Sequence, residues 1–465
     1  MSGSALRELV SHSRIFVEQV IQEKEPLLVV SHYDADGLSS ASIFTQLLFR
    51  LDVPFQLVFV EQTYPETLEL LPFKDYKFVA FLDLGSGYKN YIRNFTQERH
   101  VLIVDHHVPV TEEQWEGLVE INPHIIGVDA STQTSSSTIS YAVFEHFLGE
   151  DASLLPVAIV GALGDRLDVG DRFSLVGLNR EIVEKGKRLG IIEESISLRL
   201  FGAKKRSIVD ALASTMEPYI PGLSGNPSAC IRFLESIGIS PRESGNARMV
   251  ASLSQEEVKH LASELIKYMI TQGVNVKEAE KIFGYNYYDK REPDKSPLKD
   301  LREYAFVLNA LGRLDHYGTA LAINLGHRGK FMVRAEESIK EYRRLLAKQL
   351  SRILENQENL AKHGLQSIVY LIDENLPKLT GPLSSIIASE FAPALRKSGK
   401  TIVGVASLVN NEKYKISFRR IYENIDIGNL LKKYSMELGF IGGGHPAAGG
   451  ALIDEKTLEK LLKKL

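Results

Sequence analysis

Acidic and imidazole side chains gather at four places along this chain, in a spacing suited to holding divalent cations. His32, Asp34 and Asp36 stand in SHYDADG, Asp83 in FLDLG, Asp105, His106 and His107 in IVDHH, and Asp165 in GALGD. Taken singly, each has an ordinary explanation: an Asp beside Gly caps helices and builds turns, and a His pair sits readily in a solvated loop. Taken together they do not, because so many carboxylates aimed at one place would repel one another and resist ionisation. Divalent cations resolve that conflict, and a mixed carboxylate–imidazole set suits Mn2+, with Mg2+ or Zn2+ as competitors. A carboxylate shared by two ions about 3.5–4 Å apart is the arrangement used for phosphoryl displacement.

Those residues need a frame that brings them together. PLLVVSHY (26–33), FQLVFV (55–60), KFVAFLDL (77–84) and HVLIVDHH (100–107) are short apolar runs, with helical spacing in GLSSASIFTQLLFRL (37–51) between the first two. This rhythm predicts a parallel sheet covered on both faces. Each run ends in or runs directly into polar, charged or imidazole residues, and in such sheets the ligand site lies beyond the carboxyl ends of the strands. Helical patterns follow at 135–149 and 153–167, the second almost wholly apolar until Asp165. From 176 to about 330 the pattern is mainly helical and carries no motif with evident chemistry. A long charged helix is expected over 334–356. The last hundred residues return to strand and helix: strands at 367–373, 401–409 and 413–420, a helix around 381–397, and a glycine-rich loop. In that loop Gly442, Gly443 and Gly444 let backbone amides approach an anion closely, and His445 can donate to the same oxygens.

Composition narrows the class. An apolar fraction of 44% and a charged fraction of 25% are those of a globular protein. No stretch approaches the roughly 18 apolar residues that a spanning helix needs, and the start lacks the layout of a signal peptide. A lone cysteine, Cys230, excludes an internal disulfide and a cysteine metal cage, so a cytoplasmic protein is expected. The net charge of −4 gives no global attraction to nucleic acid, although a local basic groove suffices for an enzyme. Lys204, Lys205 and Arg206, or Arg343, Arg344 and Lys348, are candidates for one, against the commoner solvated helix face.

HYDADG, LDLG, VDHH and GALGD, in this order, resemble the four motifs of the DHH phosphoesterase superfamily, and GGGHPAAGG (442–450) resembles the signature of its DHHA1 domain. Within it the chain is most similar to the archaeal RecJ-like nucleases, which include the GINS-associated nuclease, through DADGLSSA and GPLSSIIASEFAPAL (381–395). The resemblance implies an α/β DHH catalytic domain over 1–175, a mostly helical insertion over 176–330, a connecting helix over 331–360 and an α/β DHHA1 substrate-binding domain over 361–465. It implies one metal each for Asp34 and Asp36, a shared Asp83, and ligands in His106 and Asp165. His32 joins them as a candidate ligand, though other members place that histidine at a different distance. Asp105 and His107 would orient the site, with His107 as proton donor, and Ser417 and Arg419 would grip substrate phosphate beside the glycines and His445. The implied activity is two-metal hydrolysis of single-stranded DNA, 5′ to 3′ and with RNA also accepted, releasing mononucleotides in replication and repair. Mn2+ is the expected cofactor, Mg2+ the alternative, GINS the expected partner, and a cleft between two lobes the expected strand path. Two competing readings are a hydrolase of short oligonucleotides or cyclic dinucleotides and a replication scaffold binding GINS.

Overall fold

Uninterrupted runs of Val, Leu, Ile and Phe suit strands buried on both faces. The computed structural model, which describes residues 3–109, 113–409, 412–422 and 424–465, builds them so. β1 (Leu27–His32), β2 (Phe55–Val60), β3 (Phe78–Leu82), β4 (His100–Val104) and β5 (Leu118–Ile121) form one sheet in the order β2-β1-β3-β4-β5. All its pairings are parallel. The sequence reading has no strand at β5, because its four residues, LVEI, are too few to show a period.

Successive residues of β1 face opposite ways. Leu27 and Val29 enter a core shared with the helices Ala35–Arg50, Ser136–Leu148 and Leu155–Gly164. Leu28 and Val30 pack with Leu68, Phe73 and Ile92 on the other side. From β1 the chain runs outward to β2 and then crosses back to β3, so the strand order reverses between β1 and β3, and beyond the carboxyl ends at such a switch point these sheets take their ligands.

The chain divides into two compact units, Met1–Ser197 with Phe283–Ile339 and Leu198–Ile282 with Lys340–Leu465. The middle region therefore contributes to both. Its excursion leaves and returns at one place. The Arg199 amide donates to Ile282 O at 2.8 Å and the Lys290 amide to Ile191 O at 2.7 Å, bracketing a two-stranded sheet of Ile192–Leu198 and Phe283–Asp289.

In the second unit six strands form one mixed sheet, in the order Ala361–His363, Ser367–Leu371, Ile402–Val409, Lys413–Arg420, Ala448–Asp454, Ile441–His445. Its core includes Val369, Ile416, Phe418, Leu431 and Leu458. Two expectations need correction here. The helix over 381–397 is two, Thr380–Glu390 and Ala392–Lys397, broken ahead of the proline in FAPAL, which lacks the N–H that a continuing helix needs. The closing glycine-rich stretch is a β-hairpin rather than a loop, with Ile441–His445 antiparallel to Ala448–Asp454. The long helix runs Lys330–Glu355. No described helix is long and apolar enough to cross a membrane.

Candidate metal centre

β1 ends at His32, and the chain turns at once into the helix Ala35–Arg50. Gly37 permits that turn, since a Cβ there would lie 2.2 Å from His32 O. Asp34 caps the helix: its Oδ1 accepts from the amides of Asp36 at 3.1 Å and Gly37 at 3.0 Å. Its other oxygen, Oδ2, stands 3.1 Å from His32 Nδ1. One oxygen does the ordinary work of a cap and the other faces the site. Asp36 is fully buried across the start of the helix Ser136–Leu148, with the Ser136 amide 2.7 Å from Oδ2 and the Ser137 amide 2.9 Å from Oδ1. Helix N-terminal amides are natural partners for a carboxylate.

Asp83 follows β3 with φ of 61°, in the left-handed region that Asp enters more readily than most residues. It is 1% exposed, and its Oδ2 lies 3.3 Å from His32 Nδ1. Past β4, Asp105 Oδ1 accepts from the amides of His106 at 2.8 Å and His107 at 3.1 Å, and faces His107 Nδ1 at 2.7 Å. His106 Nε2 meets Asp165 Oδ2 at 3.1 Å, Asp83 Oδ1 at 3.6 Å and Asp36 Oδ2 at 3.8 Å. Asp165 closes the helix Leu155–Gly164.

All six residues singled out as ligands thus meet, and His107 joins them. Among the described residues three groups have donor atoms within 4.8 Å of one another: Asp36, Asp83, His106 and Asp165; His32, Asp34 and Asp83; Asp83, His106 and His107. Asp83 belongs to all three, the place of a shared carboxylate. His106 Nε2 has the Asp165 carboxylate beside it, while His106 Nδ1 and Asp83 Oδ1 are buried without a hydrogen bond among the described residues. Such atoms are costly unless something else satisfies them. The donor set, carboxylate oxygen with imidazole nitrogen, fits a divalent cation such as Mn2+, Mg2+ or Zn2+.

The charges say the same. Burial, then the neighbouring Asp165 carboxylate, pushes Asp36 up to about 6. Burial and the Asp36, Asp34 and Asp165 carboxylates raise Asp83 well above the usual range. Burial alone would lower His106, yet Asp165, Asp36 and Asp105 lift it to about 10. Asp34 and Asp105 go the other way: burial opposes their ionisation, but His32 beside one and His107 beside the other hold both well below the usual carboxylate value. The protein therefore keeps protons where cations would compete for the same oxygens.

Several residues that shape this centre escape the sequence reading. Ser136 and Ser137 read only as part of a helix. Asn309 Oδ1 accepts from the Ala35 amide at 3.2 Å, a Cβ on Gly312 would lie 1.8 Å from Tyr33 O, and the Arg313 charge helps hold Asp34 low. Asn324 Nδ2 donates to Ser42 Oγ at 2.9 Å. The available signal was NALGRLD (309–315), where Asn and Gly interrupt a helical pattern that neither favours.

The candidate phosphate-gripping residues lie together in the second unit. Strand register places Ser417 opposite Gly450 and Gly450 opposite Gly443, while Arg419 and His445 both face Ala448. Ser417 Oγ shares a 2.9 Å hydrogen bond with Thr380 Oγ, and Arg419 Nε donates to Ser385 Oγ at 3.0 Å. The three glycines differ in what they allow. Gly444, at φ 151°, has Ala448 O 2.4 Å from where a Cβ would stand, and Gly442 is crowded by Phe440, whereas nothing lies within 4 Å of a Cβ on Gly443. Gly443 therefore leaves open space beside the backbone.

Residues 26–163 match the DHH family, N-terminal domain, residues 200–283 the DHH-CID domain, and residues 376–465 the DHHA1 domain. An uncharacterized protein of Methanocaldococcus jannaschii is 26% identical over 471 residues, spanning 99% of this chain and 97% of that protein. Among solved structures, CDC45 from Entamoeba histolytica is similar with a TM-score of 0.63 at 12% identity, covering 97% of each chain. RecJ from Thermus thermophilus, in complex with Mn2+, is similar with a TM-score of 0.55 at 16% identity. That match covers 98% of this chain and 53% of RecJ, so the chain spans about half the length of that protein. At these identities the likeness is one of fold.

Proposed function

We infer that this chain, which belongs to the DHH/DHHA1 superfamily and is RecJ-like in fold, is a metal-dependent exonuclease hydrolysing phosphodiester bonds of single-stranded DNA. The observation that carries the reading is the meeting of His32, Asp34, Asp36, Asp83, His106, His107 and Asp165 at one sheet edge, with Asp83 common to every group. Two divalent cations held there, Mn2+ in preference to Mg2+, would supply a water nucleophile at neutral pH and positive charge against the phosphoryl oxygens. Asp34 and Asp36 would each hold one ion, Asp83 would be shared, and His106 and Asp165 would complete the set with His32 beside them. Asp105 fixes the His107 imidazole. His107 gives its proton to the sugar oxygen that leaves as its bond to phosphorus breaks and the bond from water oxygen forms.

In the second unit Arg419 suits a two-point grip on a phosphate, with Ser417, His445 and the amides of Gly442, Gly443 and Gly444 around it. Cleavage from the 5′ end, release of mononucleotides, acceptance of RNA, and a place in replication and repair beside GINS belong to the same reading, supported by the motif resemblance. The region 176–330 is the surface proposed for GINS. A pull-down in which a chain lacking 200–281 still captures GINS would remove that stretch from the proposed surface.

End-labelled DNA and RNA single strands, digested with Mn2+, Mg2+ or chelator, test the whole reading. Expected are cation-dependent loss of nucleotides from the 5′ end of a long strand and no cleavage in chelator. Turnover confined to a trinucleotide or a cyclic dinucleotide would make the chain a small-substrate phosphodiesterase instead. No hydrolysis with any cation would leave a scaffold.

A further inference from the structure

Behind His107 lies a closed ring of hydrogen bonds that none of the motifs contains in full. The Ser86 amide donates to Asp105 Oδ2 at 2.9 Å. Asn122 Nδ2 spends its two hydrogens on Ser86 Oγ and on His107 O, each at 2.8 Å. His107 closes the ring through its own amide and Nδ1 to Asp105 Oδ1. The Ser86 hydroxyl in turn donates to Glu120 Oε1 at 2.7 Å, and Lys89 Nζ donates to Glu120 Oε2 at 2.9 Å. Ser86, Asp105 and Asn122 are fully buried, and the Lys89 and Glu120 side chains are 2% exposed.

We propose that Ser86, Asn122, Glu120 and Lys89 are positioning residues that fix the main chain and ring of His107 for proton delivery. The proposal rests on reading His107 as the proton donor. The placement favours this role over a merely structural one. Ser86 and Lys89 follow β3, Glu120 lies in β5 with Asn122 just beyond it, and Asp105 and His107 follow β4 between them. The network thus spans the end of β4 from both neighbours, while the His107 side chain is 40% exposed on its open side. A buried ion pair is an expensive way to hold a sheet edge, which an apolar pair would hold as well. An apolar pair could not occupy the Ser86 hydroxyl hydrogen, which leaves the Ser86 oxygen free to accept from Asn122 and so keeps the ring in one arrangement.

Two single strands separate positioning from bulk stability: an ordinary oligonucleotide, and one with sulfur in place of the leaving sugar oxygen, whose thiolate departs without a proton. For Ser86→Ala and Asn122→Ala, kcat on the ordinary strand should fall about 10–100-fold, the scale seen when an outer partner of a site residue is lost. KM and the Mn2+ concentration for half-activation should stay as in the unaltered protein, and the sulfur strand should be cut at nearly the unaltered rate. Glu120→Leu combined with Lys89→Met, which removes both the charges and the acceptor of the Ser86 hydroxyl hydrogen, should give the same split and serves if either alanine variant fails to fold. Equal losses on both strands, or a loss confined to KM or cation affinity, would overturn the proposal. His107→Ala is the reference. If it loses both strands equally, the proton-donor reading is itself wrong; if only the sulfur strand survives in His107→Ala but not in the ring variants, the ring alone is misassigned.

Discussion

Asp83 stands among four other carboxylates of the candidate centre, those of Asp36, Asp34, Asp165 and Asp105. It is nearly inaccessible, sits in a left-handed backbone conformation, and faces Asp36, Asp34 and Asp165. Replacing its carboxylate by an amide should therefore do opposite things to activity and stability. Asp83→Asn is expected to lower cleavage at least ~100-fold, on the scale of losing a principal electrostatic contribution, while the chelated variant unfolds at no lower temperature than the parent. A lower midpoint in chelator would show that Asp83 supports the fold. The pH dependence follows from the same charges. Asp36 titrates at about 6 in the folded chain, above its ordinary value of about 4, so its contribution is present at low pH and lost as pH rises through 6. His106, raised to about 10, contributes fully below its ordinary value of about 6.5 and loses that contribution as pH rises through 10. Asp34 and Asp105, held low, have already made their contribution above the ordinary carboxylate range. From about pH 5 upward the metal-free protein should thus lose thermal stability, and the gain in midpoint on adding Mn2+ should grow with pH. A midpoint in chelator that is flat or rises over this range would contradict the assignment.

Between residue and molecule stand the helices that press the centre into shape, and here the sequence speaks unevenly. Strand ends were legible because β1, β3 and β4 are short apolar runs at whose ends the residue type changes abruptly, to Ser31 and His32, to Asp83 and to Asp105. Asp34 in DADG was legible as a cap, which its Oδ1 is, and as a candidate ligand, for which its Oδ2 faces the centre. The supports were not. Ser136 and Ser137 matter through their backbone amides, which any residue possesses, and Asn309 acts across 274 positions of sequence. Glu120 and Lys89 look like surface charges until β5 is known to pair with β4. Gly161, in GALGD, has a reason visible only in space: a Cβ there would stand 2.3 Å from Asp36 Oδ1 and 2.1 Å from Ser137 Oγ. Gly161→Ala should accordingly cost about 1–3 kcal/mol of stability, as overpacking does, and displace Asp36. The concentration of Mn2+ needed for half-maximal activity should rise. A stable variant with unchanged cation dependence would show that the Leu155–Gly164 helix has room to shift.

At the scale of the whole chain, the parts that make the metal centre are not contiguous. The segment 283–339 returns to the first unit after the excursion through 198–282. It brings Leu298, Leu301, Tyr304, Leu308 and Leu311 into the same core as β1 and β3, besides Asn309 and Gly312 against the first motif. The Leu175 amide also donates to Tyr287 Oη at 2.9 Å. Five buried apolar side chains at roughly 1.5–3 kcal/mol each rival the about 5–15 kcal/mol that holds a whole domain folded. A chain ending at residue 175, where the expected catalytic domain ends, should therefore lack a cooperative transition. Residues 1–197 joined through a short glycine linker to 283–339 should have one, because Arg199 and Ile282 are already hydrogen-bonded neighbours. Mn2+ should raise the midpoint of that joined chain, measured by thermal unfolding with and without chelator. It should cut single-stranded DNA far more weakly than the full chain, since Ser417, Arg419 and the Gly442–Gly444 backbone belong to the other unit. If residues 1–175 alone melt cooperatively and respond equally to Mn2+, the returning segment is dispensable to the centre. If the joined chain cuts as fast as the full one, the second unit has no share in gripping the strand.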